Sequence, residues 1–318
     1  MSEGVGSRSA GPAVARALLV RAWESDLVYS FRRSPVAIVA ASLTLLCVGG
    51  ALFAPWIAPY NPFDLASVNL LNAFTPPGWA ARGKAAYLLG TDNQGRDLLS
   101  AILYGTRISL AVGVAAVLFS TALGVSLGLL SGYLGGRVDA LLMRIADVQL
   151  SFPAILIALL IDGVVHVALP RVSQGSMAVY VLILAIGLSG WVQYARTVRG
   201  STLVEKNKEY VQAARVIGRH PAAIMLHHVL PNVIGPVLVI ATIQLATAII
   251  TEATLSFLGV GMPPTTPSLG TLIRIGNDFL FSGEWWIAVF PGAALVVLVL
   301  SVNLLGDWLR DALNPKLR

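Results

Sequence analysis

Long apolar runs, a low charge content and a lopsided placement of basic residues predict an all-α integral membrane protein with about six transmembrane helices. Of its 318 residues, 56% are hydrophobic and only 12% charged, whereas a soluble domain carries about 25% charged residues. Much of such a surface must meet lipid. The net charge of +6 suits nucleic-acid binding or cytoplasmic membrane loops equally well. The distribution of the charges along the chain favours the loops and argues against nucleic acid. Cys47 is the only cysteine and sits inside an apolar run; an intrachain disulfide and a four-cysteine zinc site are excluded.

A helix needs about 20 apolar residues to cross the hydrocarbon core. Val36 to Ile57 meets this without a charge, and begins too late and runs too long for a cleavable signal peptide. The run is expected to be a retained anchor. Ile108 to Leu130 is the second span. The third, Leu141 to Ile161, carries Arg144 and Asp147 near its start, and an ion pair within one helix is the expectation for that spacing. Met177 to Ala195, Val233 to Leu258 and Trp285 to Gly306 complete the set. With the N-terminus inside, 16 basic residues fall on inner segments and 6 on outer ones. The positive-inside rule then places both termini in the cytoplasm.

The chain divides accordingly. Residues 1–35 form a cytoplasmic arm, and 36–107 the first span with a long outer segment. Residues 108–310 form a five-helix core with an inner loop at 197–232, and 311–318 a cytoplasmic tail. In the arm, Leu19, Trp23, Leu27 and Phe31 recur every four residues among arginines, as in a helix lying on a leaflet. Gly124, Gly128 and Gly132 are spaced to let a second helix approach closely.

The inner loop is the most informative segment. Glu209 to Ile217 reads as a short helix, Gly218 as a permissive break, and Pro221 as the first turn of a second helix. Pro231 is expected to end that helix before the fifth span. Ala213-Ala214, then Gly218, then Leu230-Pro231 resembles the EAA loop of permease subunits of binding-protein-dependent ABC importers. Gln212 stands where that family has glutamate, and His228 where it has isoleucine, the latter as in the peptide-transporting branch. Further segments resemble the peptide and nickel importers in order. They are Leu89 to Asp92 with Gly95-Arg96-Asp97, Tyr104 to Leu110, Glu252 to Gly259 followed by Pro267 to Gly270, and Asn303 to Pro315.

The resemblance implies a non-catalytic chain in the inner (plasma) membrane. It implies partners: a second, related permease, two ATPase subunits holding ATP and magnesium, and an extracytoplasmic solute-binding protein. This chain itself needs no cofactor. The coupling loop to the ATPase would use Glu209, Gln212, Ala213, Ala214, Gly218, Arg219, His220, Pro221, Leu230 and Pro231. The outer segments, with Asp92, Gly95, Arg96, Asp97, Arg107 and Glu252, are candidates for docking the binding protein or for an outer gate. From the residues alone, Thr91 or Asp92 is a candidate helix cap, with Asp97 adding negative charge in the first turns.

Enzymatic chemistry finds little support. There is no GxxxxGK[ST] phosphate loop. His220, His227 and His228 lack metal-ligand spacing and a convergent carboxylate. A self-contained secondary transporter or channel is the main rival, and it would want ionisable groups or broken helices at mid-membrane. A membrane-embedded enzyme would want a nucleophile–base pair or metal ligands at one depth.

Overall fold

The computed structural model describes residues 26–64, 69–168 and 171–313, and among these the regular elements are helical. The leaflet-helix expectation for the arm falls mostly outside the described residues, except for a short helix α1 (Asp26–Arg33). Helix α2 (Pro35–Leu52) begins where Ser34 Oγ accepts the Ala37 N–H at 3.2 Å and Pro35 occupies the first turn. A short turn α3 (Ala54–Ile57) leads outward. Helix α4 (Leu98–Leu134) starts at Asp97, whose carboxylate accepts the Ser100 N–H at 2.8 Å. The cap is therefore Asp97 and not Thr91 or Asp92.

The third span is not one straight helix. Helix α5 (Gly136–Leu150) and helix α6 (Ala154–Ala168) meet at a 96° bend. Pro153 cannot donate a hydrogen bond and disfavours helical geometry at Phe152, so the chain breaks at Ser151–Pro153. At 15 residues, α6 reaches about 22 Å, short of the roughly 30 Å core. The intrahelical ion pair is also absent. Asp147 pairs with Arg196 across helices at 2.5 Å, and both side chains are about half exposed.

Helix α7 (Arg171–Glu205) lies along α4. A Cβ on Gly124 would fall 2.5 Å from the Trp191 carbonyl oxygen, and one on Gly128 2.6 Å from that of Ala195. On Gly132 it would meet Thr202 Cβ at 2.7 Å. The glycines thus let the two backbones touch, as their spacing implied. At the inner end Arg199 grips Asp139 with two hydrogen bonds of 2.5 and 2.6 Å, and Lys206 Nζ donates to the Gly132 carbonyl at 2.7 Å.

Beyond α7 come helix α8 (Glu209–Val216), helix α9 (Pro221–Ile224), a π turn (Met225–Val229) and helix α10 (Leu230–Phe257). Pro231 does not end the loop helix. It sits in the first turn of α10, and the wide turn absorbs its missing donor, with the Leu230 N–H bonding back to the Met225 carbonyl. The run from Pro221 to Phe257 is consequently one 37-residue apolar rod. Helix α11 (Leu269–Asn277) packs against α10, and helix α12 (Trp286–Leu313) packs against both. Among the described residues five helices are long and apolar enough to cross, or six with the bent pair as one span.

Candidate functional site

The inner loop is built by turn chemistry. Gly218 adopts φ +82°, a left-handed conformation that costs an ordinary L-residue about 1–2 kcal/mol. Its N–H bonds the Arg215 carbonyl at 2.9 Å, and the Arg219 N–H bonds that of Ala214 at 3.1 Å. This pair of bonds closes the C-terminus of α8 and reverses the chain. His220 Nδ1 then accepts the Ala222 N–H at 3.3 Å, and Pro221 opens α9.

The two short helices lean on the bundle through Val211, Ala214, Ile224 and Val229, all buried with Tyr194 and Val198. Tyr210 donates to Glu205, receives Asn232 Nδ2 at 3.1 Å and stacks on His228. Burial and the Glu205 carboxylate push its phenol up to about 12, so it remains a donor at neutral pH. Arg215 lies over the Tyr133 ring at 4.9 Å.

The opposite side of the loop is bare. Val216 is 88% and Ile217 80% exposed. Glu209, Gln212, Ala213, Gly218, Arg219, His220, Pro221 and Pro231 are exposed as well, with Leu230 half-buried. Of the two alanines, Ala214 faces inward and Ala213 outward. Two apolar side chains at the tip of a polar loop form a knob without a socket among the described residues.

The outer segment folds into a cap held by buried polar contacts. Asp92 and Arg96 are ion-paired at 2.6 Å with almost no exposure. Asp92 also accepts the Gln94 and Arg96 N–H groups, and Arg96 Nη1 donates to the Pro264 carbonyl at 2.9 Å. Gly95 takes φ +77°, and a Cβ there would lie 2.2 Å from the Asn69 carbonyl oxygen. Trp286 Nε1 donates to the Thr91 carbonyl at 3.2 Å, tying the cap to α12. Asp92, Gly95, Arg96 and Asp97 are therefore interior to the cap and present no docking surface, whereas Arg107 is exposed.

Glu252 is fully buried near the outer end of α10. Its carboxylate accepts Ser109 Oγ of α4 and Ser256 Oγ, each at 2.7 Å, while the Leu269 N–H donates to Ser109 Oγ at 3.3 Å. One acidic side chain thus joins α10, α4 and α11.

Residues 124–318 match the family model described as the binding-protein-dependent transport system inner membrane component. The chain belongs to this family. Residues 22–77 of the permease match a second model, the N-terminal transmembrane domain of oligopeptide transport permease C. The permease is 39% identical over 289 residues to the di/tripeptide transport system permease protein DppC of Pseudomonas aeruginosa, covering 91% of each chain. It is 41% identical to the dipeptide transport system permease protein DppC of Escherichia coli, again covering 91% of each. To the oligopeptide transport system permease protein OppC of Bacillus subtilis it is 37% identical, covering 92% of this chain and 90% of that one. A chain of the MetNI methionine ABC transporter, solved in inward-facing form, superposes with a TM-score of 0.51 at 20% identity. That match covers 67% of the permease and 96% of the MetNI chain. At that identity the likeness is one of fold.

Several features of the permease escaped the sequence reading. Val216 is hidden by its position, although two adjacent β-branched residues before a loop glycine are a usable signal. The hydroxyl partners of Glu252 lie 143 residues away (Ser109) and four residues away (Ser256). Only the nearer is readable from spacing.

Proposed function

We propose that this permease subunit carries short peptides into the cytoplasm, through a path shared with a second permease chain. Two ATPase chains below would hold ATP and magnesium, and an extracytoplasmic binding protein would deliver the solute above. Both termini would then be cytoplasmic, in keeping with the excess of basic residues on the inner segments. The peptide assignment draws on the relatives named above. The single observation that carries the coupling reading is the exposed Val216–Ile217 knob, held rigidly by the Gly218 reversal. A small, preorganised apolar tip suits insertion into a groove on a partner. Nucleotide-driven closure of that partner would bias a helix bundle with two arrangements.

The test is co-purification with candidate ATPase chains. Ile217→Asp and Val216→Asp alter exposed side chains, and Gly218→Pro removes the left-handed turn. Retained membrane insertion with weakened ATPase association is expected for all three. Association untouched by any of them would remove the mechanical basis of the reading and advance a self-contained transporter.

A further inference from the structure

A cavity of about 150 Å³ lies where α5 breaks into α6, closed by α4, α7 and α10. Its polar lining residues are Ser120, Gln149, Ser189, Gln193, Tyr194, Gln244, Thr247 and Thr251. None of the described residues that line it is Asp, Glu, Lys or Arg. Gln244, Thr247 and Thr251 share one face in the second half of α10, among mostly apolar neighbours. Gln193 and Thr247, at the rim, are exposed. A row of amides and hydroxyls in mid-span is unfavourable against lipid tails. It is stable against water, or against a solute that hydrogen-bonds.

The hydrogen-bond inventory shows what the cavity offers. Ser120 Oγ donates to the Gly187 carbonyl at 2.7 Å, and Thr251 Oγ1 to that of Thr247 at 2.8 Å. Thr247 Oγ1 donates to the Ile243 carbonyl at 3.3 Å. These three hydroxyls have given their protons to backbone and keep only acceptor lone pairs. Gln149 is a fixed wall: its amide donates to the Leu188 and Ser189 carbonyls and accepts Trp191 Nε1–H. The side-chain amides of Gln193 and Gln244 have no partner among the described residues. Gly190 keeps the space open, since a Cβ there would lie 2.9 Å from Ser120 Oγ and 3.9 Å from Gln244 Nε2.

We propose that this cavity is the permease's own solute-contact site, and that it takes the amide backbone of a short peptide. Gln193 and Gln244 each supply a donor and an acceptor, the pattern complementary to a peptide group, while Thr247 and Thr251 accept from its N–H groups. Walls without charge leave the solute's side-chain charge unread at this point. The inference rests on the peptide-permease reading above.

The experiment uses the complete importer in proteoliposomes, with alanyl-alanine and lysyl-alanine as probes. Gln244→Leu is expected to raise the KM for alanyl-alanine about three- to tenfold, the worth of one neutral hydrogen bond. Gln244→Glu is expected to raise lysyl-alanine uptake relative to alanyl-alanine, a change that loss of packing would not produce. In a Cys47→Ala background, Thr247→Cys should react with a membrane-impermeant thiosulfonate and be protected during alanyl-alanine transport. Val296→Cys, exposed on α12, should not react. Unchanged KM and charge ratio overturn the proposal, whether or not Thr247→Cys reacts. A wild-type complex that moves no dipeptide overturns the transport reading and the peptide ligand with it. The cysteine reactivity then separately decides whether the cavity meets water.

Discussion

Asp92 and Arg96, like Asp97 and Glu252, are charged residues held in the interior. Their ion pair is closed from solvent, and removing one partner of such a pair strands the other. Arg96→Met is expected to destabilise the protein by about 3–5 kcal/mol, read as a lowered Tm in detergent. The double variant Asp92→Asn/Arg96→Met should recover part of that loss, because neither side chain is then a lone buried charge. At Gly218 the issue is backbone conformation, with φ at +82°. Gly218→Ala is expected to cost about 1 kcal/mol and to weaken ATPase association. Gly218→Asn, better tolerated in that conformation, should retain more of it.

Among the elements, spans and glycine spacing were legible in the sequence, and joints were less so. The Gly124, Gly128 and Gly132 contacts follow from their four-residue spacing because a helix places such residues on one face. Gly128→Ala would drive a Cβ to 2.6 Å from the Ala195 carbonyl oxygen and should lower Tm. Gly200→Ala, on the same helix pair but with nothing within 4 Å of its added Cβ, should raise stability by up to about 1 kcal/mol. Thermal unfolding of the two variants side by side checks both signs. The break at Pro153 was hidden because apolar composition continues across it, and hydropathy alone does not see a change of direction. Pro231 was misleading for the opposite reason: a proline in a helix's first turn is no stop, and the π turn that places it there has no sequence signature. The cap partners of Asp92 and the Glu252–Ser109 bond depend on contacts distant in sequence, which neither periodicity nor local turn chemistry can supply.

The whole molecule has a knob, a cap and a bundle between them, with the knob inside and the cap outside in the proposed orientation. Its orientation is checked by single cysteines in a Cys47→Ala background. Ser282→Cys, in the cap, should react with an impermeant reagent on intact cells, and Ile217→Cys only after permeabilisation. The reverse pattern would invert the topology and refute cytoplasmic coupling. Helices α4 and α7, pressed backbone to backbone along three glycines and tied at one end by the Lys206–Gly132 bond, leave no slack between them. They form the fixed frame of the machine. Beside them lie two irregular joints, the proline elbow between α5 and α6 and the wide turn at the foot of α10. In the proposed coupling, a stroke entering at the knob would have to bend one of these before it reached the cap.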